Sequence, residues 1–329
     1  MFTFSKHKVH LVIKDHVFRF VETTQPSLQH IKSYGERYLP PGIIREGKIV
    51  ERETLTMILS EMVENYNLQR KATQFIVPDA FVVVRKIKIP SDIPEDEITG
   101  HIYLEIGETI HLPFDDAQFD FSITNKTDDF TEIVLVASPR TMIEDYKSII
   151  EDCKLKPVAA DLSSLSIHRL LEKIEMIFRE EHVMLVQFDI NSVNVTIFHD
   201  EIPQFTRHLK LNLDHELWEV TKGPDRKEIL SWKGEISELE GHVDEMVSEI
   251  ERMMSFYRFS VNQGQAGVSK LLVTGDYPRM EPIIERLRRL VEVPVELIQE
   301  SLVTNSADES IPTRYHELIG LSLKREVRR

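Results

Sequence analysis

The sequence predicts an α/β protein of two related lobes, with an α+β module inserted into the first. Two β-rich hairpins, VHLVIKDHVFRFVE at Val9–Glu22 and VMLVQFDINSVNVTIF from Val183, lie about half a chain apart, as in a duplicated fold whose cleft holds a nucleotide. Both lack the glycines that let such hairpins bring backbone amides close to phosphate. Between them, from Val82 to about Pro157, the pattern changes to one strand, one helix, two strands and one helix, which is a self-contained unit. At 329 residues the chain also exceeds what one core usually holds.

Residues 1–38 read as short strands, with the apolar period of two strongest from His16 to Val21, and Pro40-Pro41-Gly42 ends the run. A helix over Glu53–Asn67 follows from Leu55, Ile58, Leu59, Met62 and Val63 at helical spacing. Gln74–Pro78 and FVVVRKIKIP are strands. The module's first helix starts after Pro90-Ser91, with Pro94 near its first turn and Glu95, Asp96 and Glu97 at its positive end. AQFDFSI and TEIVLVAS form a hairpin through TNKTDD. A second helix, Arg140–Lys154, carries Met142, Ile143, Tyr146, Ile149 and Ile150 on one face. Pro157–Asp161 is a strand, and a helix over Leu162–Ile177 links the lobes.

The second lobe repeats the opening, with strands at 183–189, 193–198 and about 203–211. A polar loop is expected from Lys222 to Glu228, then a long helix over Ile236–Val261 with a methionine-containing core stripe. The strand LLVT, a helix over Met280–Val291, the strand PVELI and a helix near Thr313–Leu323 complete it. The expected boundaries are 1–81 with 158–180 for the first lobe, 82–157 for the module, and 181–329 for the second lobe, with a helical and loop subregion at about 212–265.

Composition excludes several functions. Lys and Arg number 40 against 55 Asp and Glu, a net charge of −15, which argues against nucleic-acid binding by counterion release and against broad contact with anionic lipid. No run of about 18 apolar residues is present to span a bilayer, so a soluble cytoplasmic protein is expected. The single cysteine, Cys153, allows no intrachain disulfide and reads as a buried, neutral thiol. His10, His16 and His199 show no metal spacing, and HExxH, Walker A and Gly-x-Ser-x-Gly patterns are absent, so no catalytic or metal residue is assigned. The basic end KREVRR reads as a solvated tail.

One resemblance runs through most of the chain. IYLEIGETIHLPFDDAQFDFSI at Ile102–Ile123 is similar to a helix, proline-containing turn and acidic aromatic strand of the cytoplasmic PilM proteins of type IV pilus assembly, relatives of the actin-like protein FtsA. Supporting segments are VVVRKIKIPSDIPEDEI, LVASPRTMIEDYKSIIEDCKL, MVSEIERMMSFYRFSV, KLLVTGDYPRMEPIIERL and YHELIGLSL. The resemblance implies an actin-like fold, an RNase H-like unit used twice, with an SHS2-like module.

The departures fall where that family holds nucleotide. The first loop offers Lys14, Asp15 and His16, without the family's acid and glycine. In the second loop Asp189 remains, Asn191 replaces a glycine, and Ser192 keeps a hydroxyl. The third keeps Gly275 but adds Asp276, a carboxylate where polyphosphate would approach. The simplest reading of Lys14 and Asp15 is an ordinary charged hairpin turn, and of Asp189 and Asn191 turn formers that bond the local backbone. The expectation is therefore a non-catalytic pseudo-ATPase without cofactor.

What the resemblance implies is a scaffold of the type IV pilus, or of a related competence or secretion platform, peripheral to the inner face of the cytoplasmic membrane through its partner. That partner is a PilN-like bitopic membrane protein, whose N-terminal cytoplasmic peptide enters a groove between module and first lobe. Val84, Ile87, Ile89, Leu112, Pro113 and Phe114 mark the region to test, with module core as their default reading. The alternatives are an ATP-dependent switch using Lys14 for phosphate and Asp189 for magnesium, and a filament-forming protein like FtsA. The latter ranks last because no long C-terminal amphipathic anchor is seen.

Overall fold

The computed structural model describes residues 7–211, 213, 217–222, 228–305 and 307–324. In the first lobe β1 (Lys8–Lys14) and β2 (Val17–Thr23) form a tight hairpin, followed antiparallel by β3 (Ile31–Tyr38). The short pair β4 (Ile44–Arg45) and β5 (Lys48–Ile49) leads into α1 (Arg52–Asn65), and β6 (Ala72–Ile76) returns parallel to β1. The module consists of β7 (Val83–Pro90), α2 (Ile98–Glu105), β8 (Ala117–Lys126) and β9 (Phe130–Pro139). After it come α3 (Arg140–Asp152), β10 (Lys156–Asp161) and α4 (Ser163–Lys173).

The second lobe opens with β11 (Val183–Phe188), β12 (Ser192–His199) and β13 (Ile202–Lys210), then the hairpin β14 (Trp218–Lys222) and β15 (Glu228–Trp232). The remaining elements are α5 (Ile236–Phe256), β16 (Lys270–Gly275), α6 (Met280–Leu290), β17 (Val295–Leu297) and α7 (His316–Ser322). The strand orders are β10-β6-β1-β2-β3 and β17-β16-β11-β12-β13. In each, a central strand has an antiparallel meander on one side and two parallel strands on the other. The duplication read from the two hairpins therefore extends to the whole sheet.

Alternation along the strands decides how each sheet is covered. Val9, Leu11 and Ile13 of β1 face a core shared with α1 and α3, whereas Val12 faces Leu318, Ile319 and Leu321 of α7. In the second sheet Met184 and Val186 pack with α5 and α6, and Leu185 packs with Ile167 and Leu171 of α4. Because Leu170 of α4 belongs to the α7 side, α4 serves both lobes. It crosses α7 closely: a Cβ on Gly320 would lie 1.8 Å from the Ser166 carbonyl oxygen, so only glycine fits.

Four local differences from the sequence reading have physical causes. Helix α3, grouped with the module by order, buries Met142, Tyr146, Ile149 and Ile150 in the first lobe's core, while the module core contains Ile89, Ile98, Ile102, Ile110, Ile133 and Leu135. Helix α7, grouped with the second lobe, covers the first lobe's sheet. Residues 218–222 and 228–232 are paired strands, with Trp218 against Trp232 at 5.2 Å; their exposed, charged faces concealed the alternation. Helix α2 starts at Ile98, because the chain from Ser91 to Glu97 is spent in turns. Most of the expected loop at Lys222–Glu228 (223–227) and of the tail KREVRR (325–329) lies outside the described residues.

Candidate functional site

The first hairpin pairs Lys14 with Val17, so only Asp15 and His16 remain in its turn. Lys14 then points into the cleft between the lobes. Its Nζ donates to both carboxylate oxygens of Asp189 at 3.0 Å and lies 3.2 Å from Glu317 Oε1 on α7. Beside it Arg19, 1% exposed, donates to Asp276 at 2.6 Å and to Glu36 at 2.9 Å, and His16 Nε2 lies 2.9 Å from the same Asp276 oxygen. Each cation of the first lobe thus touches one carboxylate on its own side, Glu317 or Glu36, and one across the cleft.

Burial alone would lower the Lys14 pKa, but Asp189 and Glu317 outweigh it and hold the ammonium above its ordinary value. The Arg19 guanidinium is stabilised the same way by Asp276 and Glu36. Burial would raise Asp276, yet His16, Arg19 and Lys14 hold its carboxyl well below the usual range. Nearby Asp79 accepts from Ser163 Oγ at 2.6 Å and Asn194 Nδ2 at 3.1 Å, and burial pushes its pKa up to about 6.

The residues singled out in the sequence converge here, in roles different from those expected. Lys14 is a buried bridge between lobes and not a solvated turn residue. Asp15 accepts the Glu46 and Gly47 N–H groups at 2.6 and 2.8 Å, fixing the loop between β4 and β5. Asp189 spends both oxygens on Lys14 and none on its local turn, and Asn191 Oδ1 is buried with no partner among the described residues. Ser192 starts β12 and lines the same small space. Gly275 has φ +123°, and a Cβ there would sit 2.0 Å from the Phe188 carbonyl oxygen, so it closes the ends of β11 and β16 on each other. Cys153 is buried, and burial pushes its thiol pKa upward.

A metal-bound polyphosphate does not fit this floor. The oxygens that would face the cation already hold an ammonium, and the Cβ position of Gly275 is filled by the Phe188 carbonyl; the space between the hairpins, about 220 Å³, opens past Asp15, Asn191 and Lys210. A wider space of about 760 Å³ lies toward the mouth, walled by Tyr38 and Ile44 on one side and Ile190, Trp218 and Leu230 on the other. It is crossed at its rim by Arg37 and the Tyr38 amide, both on Glu228, and by Lys210 on Glu46.

A second concavity, of about 360 Å³, lies under the module. Cross-strand registers put Val84, Val136 and Asp120 in one row, and Lys86, Val134 and Ser122 in the next, on the sheet face opposite α2. Val134 and Val136 form the floor; Ile143, Leu162 and Leu165 form one wall, and Ile202 and Pro203 of the second lobe the other. Asp120, Glu201 and Lys324 also line it, Glu201 being paired with Arg179. Of the six groove candidates, Ile87, Ile89 and Leu112 pack on the α2 side in the module core, Ile89 at 2% exposure. Pro113 and Phe114 do not line the concavity, and Val84 alone shares the floor's face.

Sequence reasoning missed Arg19, Glu36, Glu317 and the floor of the groove. A signal for Arg19 existed: it interrupts the apolar run of β2 at a position where a charge needs a buried partner.

Over residues 13–317 the sequence matches the family model of the type IV pilus assembly protein PilM. No curated protein matches it. Among solved structures, one described as the PilM-PilN type IV pilus biogenesis complex superposes with a TM-score of 0.74 at 16% identity, over 96% of this chain and 97% of that one. The ethanolamine utilization protein EutJ from Carboxydothermus hydrogenoformans gives 0.54 at 10% identity, over 96% and 89%. MreB 5 of Spiroplasma citri bound to AMPPNP gives 0.51 at 8%, over 96% and 94%. At these identities the likeness shows the fold, a two-lobed actin-like one, in agreement with the duplicated sheets. Since the family model spans nearly the whole molecule, the chain belongs to the type IV pilus assembly protein PilM family.

Proposed function

We propose that this chain is a non-catalytic scaffold on the cytoplasmic side of a type IV pilus, competence or secretion platform, and that the groove under the module receives the N-terminal cytoplasmic peptide of a PilN-like bitopic membrane protein. The observation that carries this reading is the groove itself: an apolar floor beside a strand, β8, that pairs only with β9 among the described residues. A free strand edge next to apolar pockets suits an extended peptide with apolar anchors. The structural neighbour described as a PilM-PilN complex supports the identity of the partner. Among the described residues no helix is long and apolar enough to cross a membrane, so attachment through a partner is consistent with the chain.

Calorimetric titration with N-terminal peptides of PilN-like proteins tests this. Saturable binding is expected without nucleotide, weakened about tenfold or more by Val136→Arg, a loss of at least about 1.4 kcal/mol. Equal affinity in the variant would reject the placement, and absence of binding to the wild type would reject the partner. Saturable magnesium-dependent ATP binding, abolished by Asp189→Ala, would favour an ATP switch instead.

A further inference from the structure

We propose that the buried bridges from Lys14 to Asp189 and from Arg19 to Asp276 are a built-in clamp that holds the two lobes closed without any ligand, in the place where related folds use a metal nucleotide. In a two-lobed cleft lined with carboxylates, something cationic must neutralise the facing walls before they can approach. Here that charge is supplied by the first hairpin itself. Lys14 stands between Glu317 and Asp189, and Arg19 between Glu36 and Asp276, so each cation is steadied by an acid of its own lobe while it reaches the other.

Three observations support closure as the resting state. The participating carboxylates across the cleft are almost fully buried, with side-chain exposures of 7% for Asp189 and 5% for Asp276, so the contact excludes water. The pairs are complementary: Lys14 of the first hairpin meets Asp189 of the second, and Asp276 meets Arg19, which interrupts the apolar run of β2. A second tier of contacts, Arg37 with Glu228 and Lys210 with Glu46, joins the lobes at the rim. The inference does not depend on the peptide partner, and its test needs none.

The experiment measures the distance between the lobes. Nitroxides are placed on cysteines introduced at the exposed positions Glu53 on α1 and Glu285 on α6, in a Cys153→Ala background, and read by pulsed electron spin resonance. A single narrow distribution is expected for the ligand-free protein, unchanged by magnesium-ATP. The double variant Asp189→Asn and Asp276→Asn removes charge across the cleft while leaving Lys14 with Glu317 and Arg19 with Glu36, so each cation keeps a partner and folding is retained. In that variant the distribution should broaden and move to longer distances. The proposal is overturned if the wild type is broad until magnesium-ATP narrows it, or if the folded double variant stays as narrow as the wild type. The first outcome needs no variant, so a folding failure cannot shelter the idea.

Discussion

At the floor of the interlobe cleft both walls are polar, and Lys14, Arg19, Asp189 and Asp276 have found partners from the opposite wall. Under the module the lining includes the apolar Val134, Val136, Leu165 and Ile202, together with charged groups of both signs. The two concavities lie in one fold and share neighbours, Val77 lining both, yet in one the charges pair across the cleft, whereas the other presents apolar surface and an unextended sheet edge. Buried charges that bond one another have little left to offer a ligand, whereas apolar walls beside a free strand edge gain from being covered. The difference separates a region that maintains the architecture from one that is available for recognition.

The largest test of that contrast is Lys14→Ala. It leaves Asp189 and Glu317 buried without their cation, and a loss of about 3–5 kcal/mol is expected from urea unfolding. A variant as stable as the parent would show that the cleft is not held by charge. Next is the titration of Asp79, followed by carbon-13 NMR of its carboxyl. Its folded pKa of about 6 exceeds the ordinary 3.8, so the folded state binds the proton more tightly. The resulting stability is present below about pH 4 and lost as pH rises through 6, amounting to about 2 kcal/mol after allowance for partial exposure. Because the Lys14 charge lowers this pKa, Lys14→Gln should move the midpoint higher; an unchanged midpoint would place the lysine outside the site's field.

On the groove side, Val136→Arg should change stability by about 1 kcal/mol or less, since the side chain faces open space while the module core lies on the opposite side of the sheet. A collapse of stability would mean that the groove is part of the core. The smallest effect belongs to the rim, where Arg37, 44% exposed, meets Glu228. Arg37→Gln should cost no more than about 0.5–1 kcal/mol in the same unfolding experiment, in contrast to the buried bridges.

Much of the architecture was legible because it is written in local periodicity. The paired hairpins, the α1 stripe from Leu55 to Val63 and the long α5 stripe all correspond to observed elements. The altered cleft loops were legible as departures from a phosphate site, but their new bonding was not. Lys14 and Asp189 are 175 residues apart, and Arg19 and Asp276 are 257 apart, so nothing local indicates that they meet. The same reason hides the attachment of α3 and α7: helical spacing shows which face is apolar but not which sheet it covers. In the module, alternation distinguished two faces of β7 without telling which one α2 covers, and so the candidate list mixed Val84 with Ile87 and Ile89.

The placement of α7 also orders events in time. Every strand of the first sheet has been synthesised by Asp161, yet most of the layer that covers Val12, Val21 and Ile76 comes from Val303 and residues 311–321. During translation Leu170 of α4 reaches that face early, but the rest of its cover waits while some 150 further residues are added, roughly 8–30 seconds at typical rates of synthesis. Leu318, Ile319 and Leu321 then dock as a late latch, each burial contributing roughly 1.5–3 kcal/mol, and Gly320 lets the latch seat against α4. A chain interrupted before Tyr315 would carry both lobes' strands and still lack Tyr315, Leu318, Ile319 and Leu321 from the cover of its first sheet.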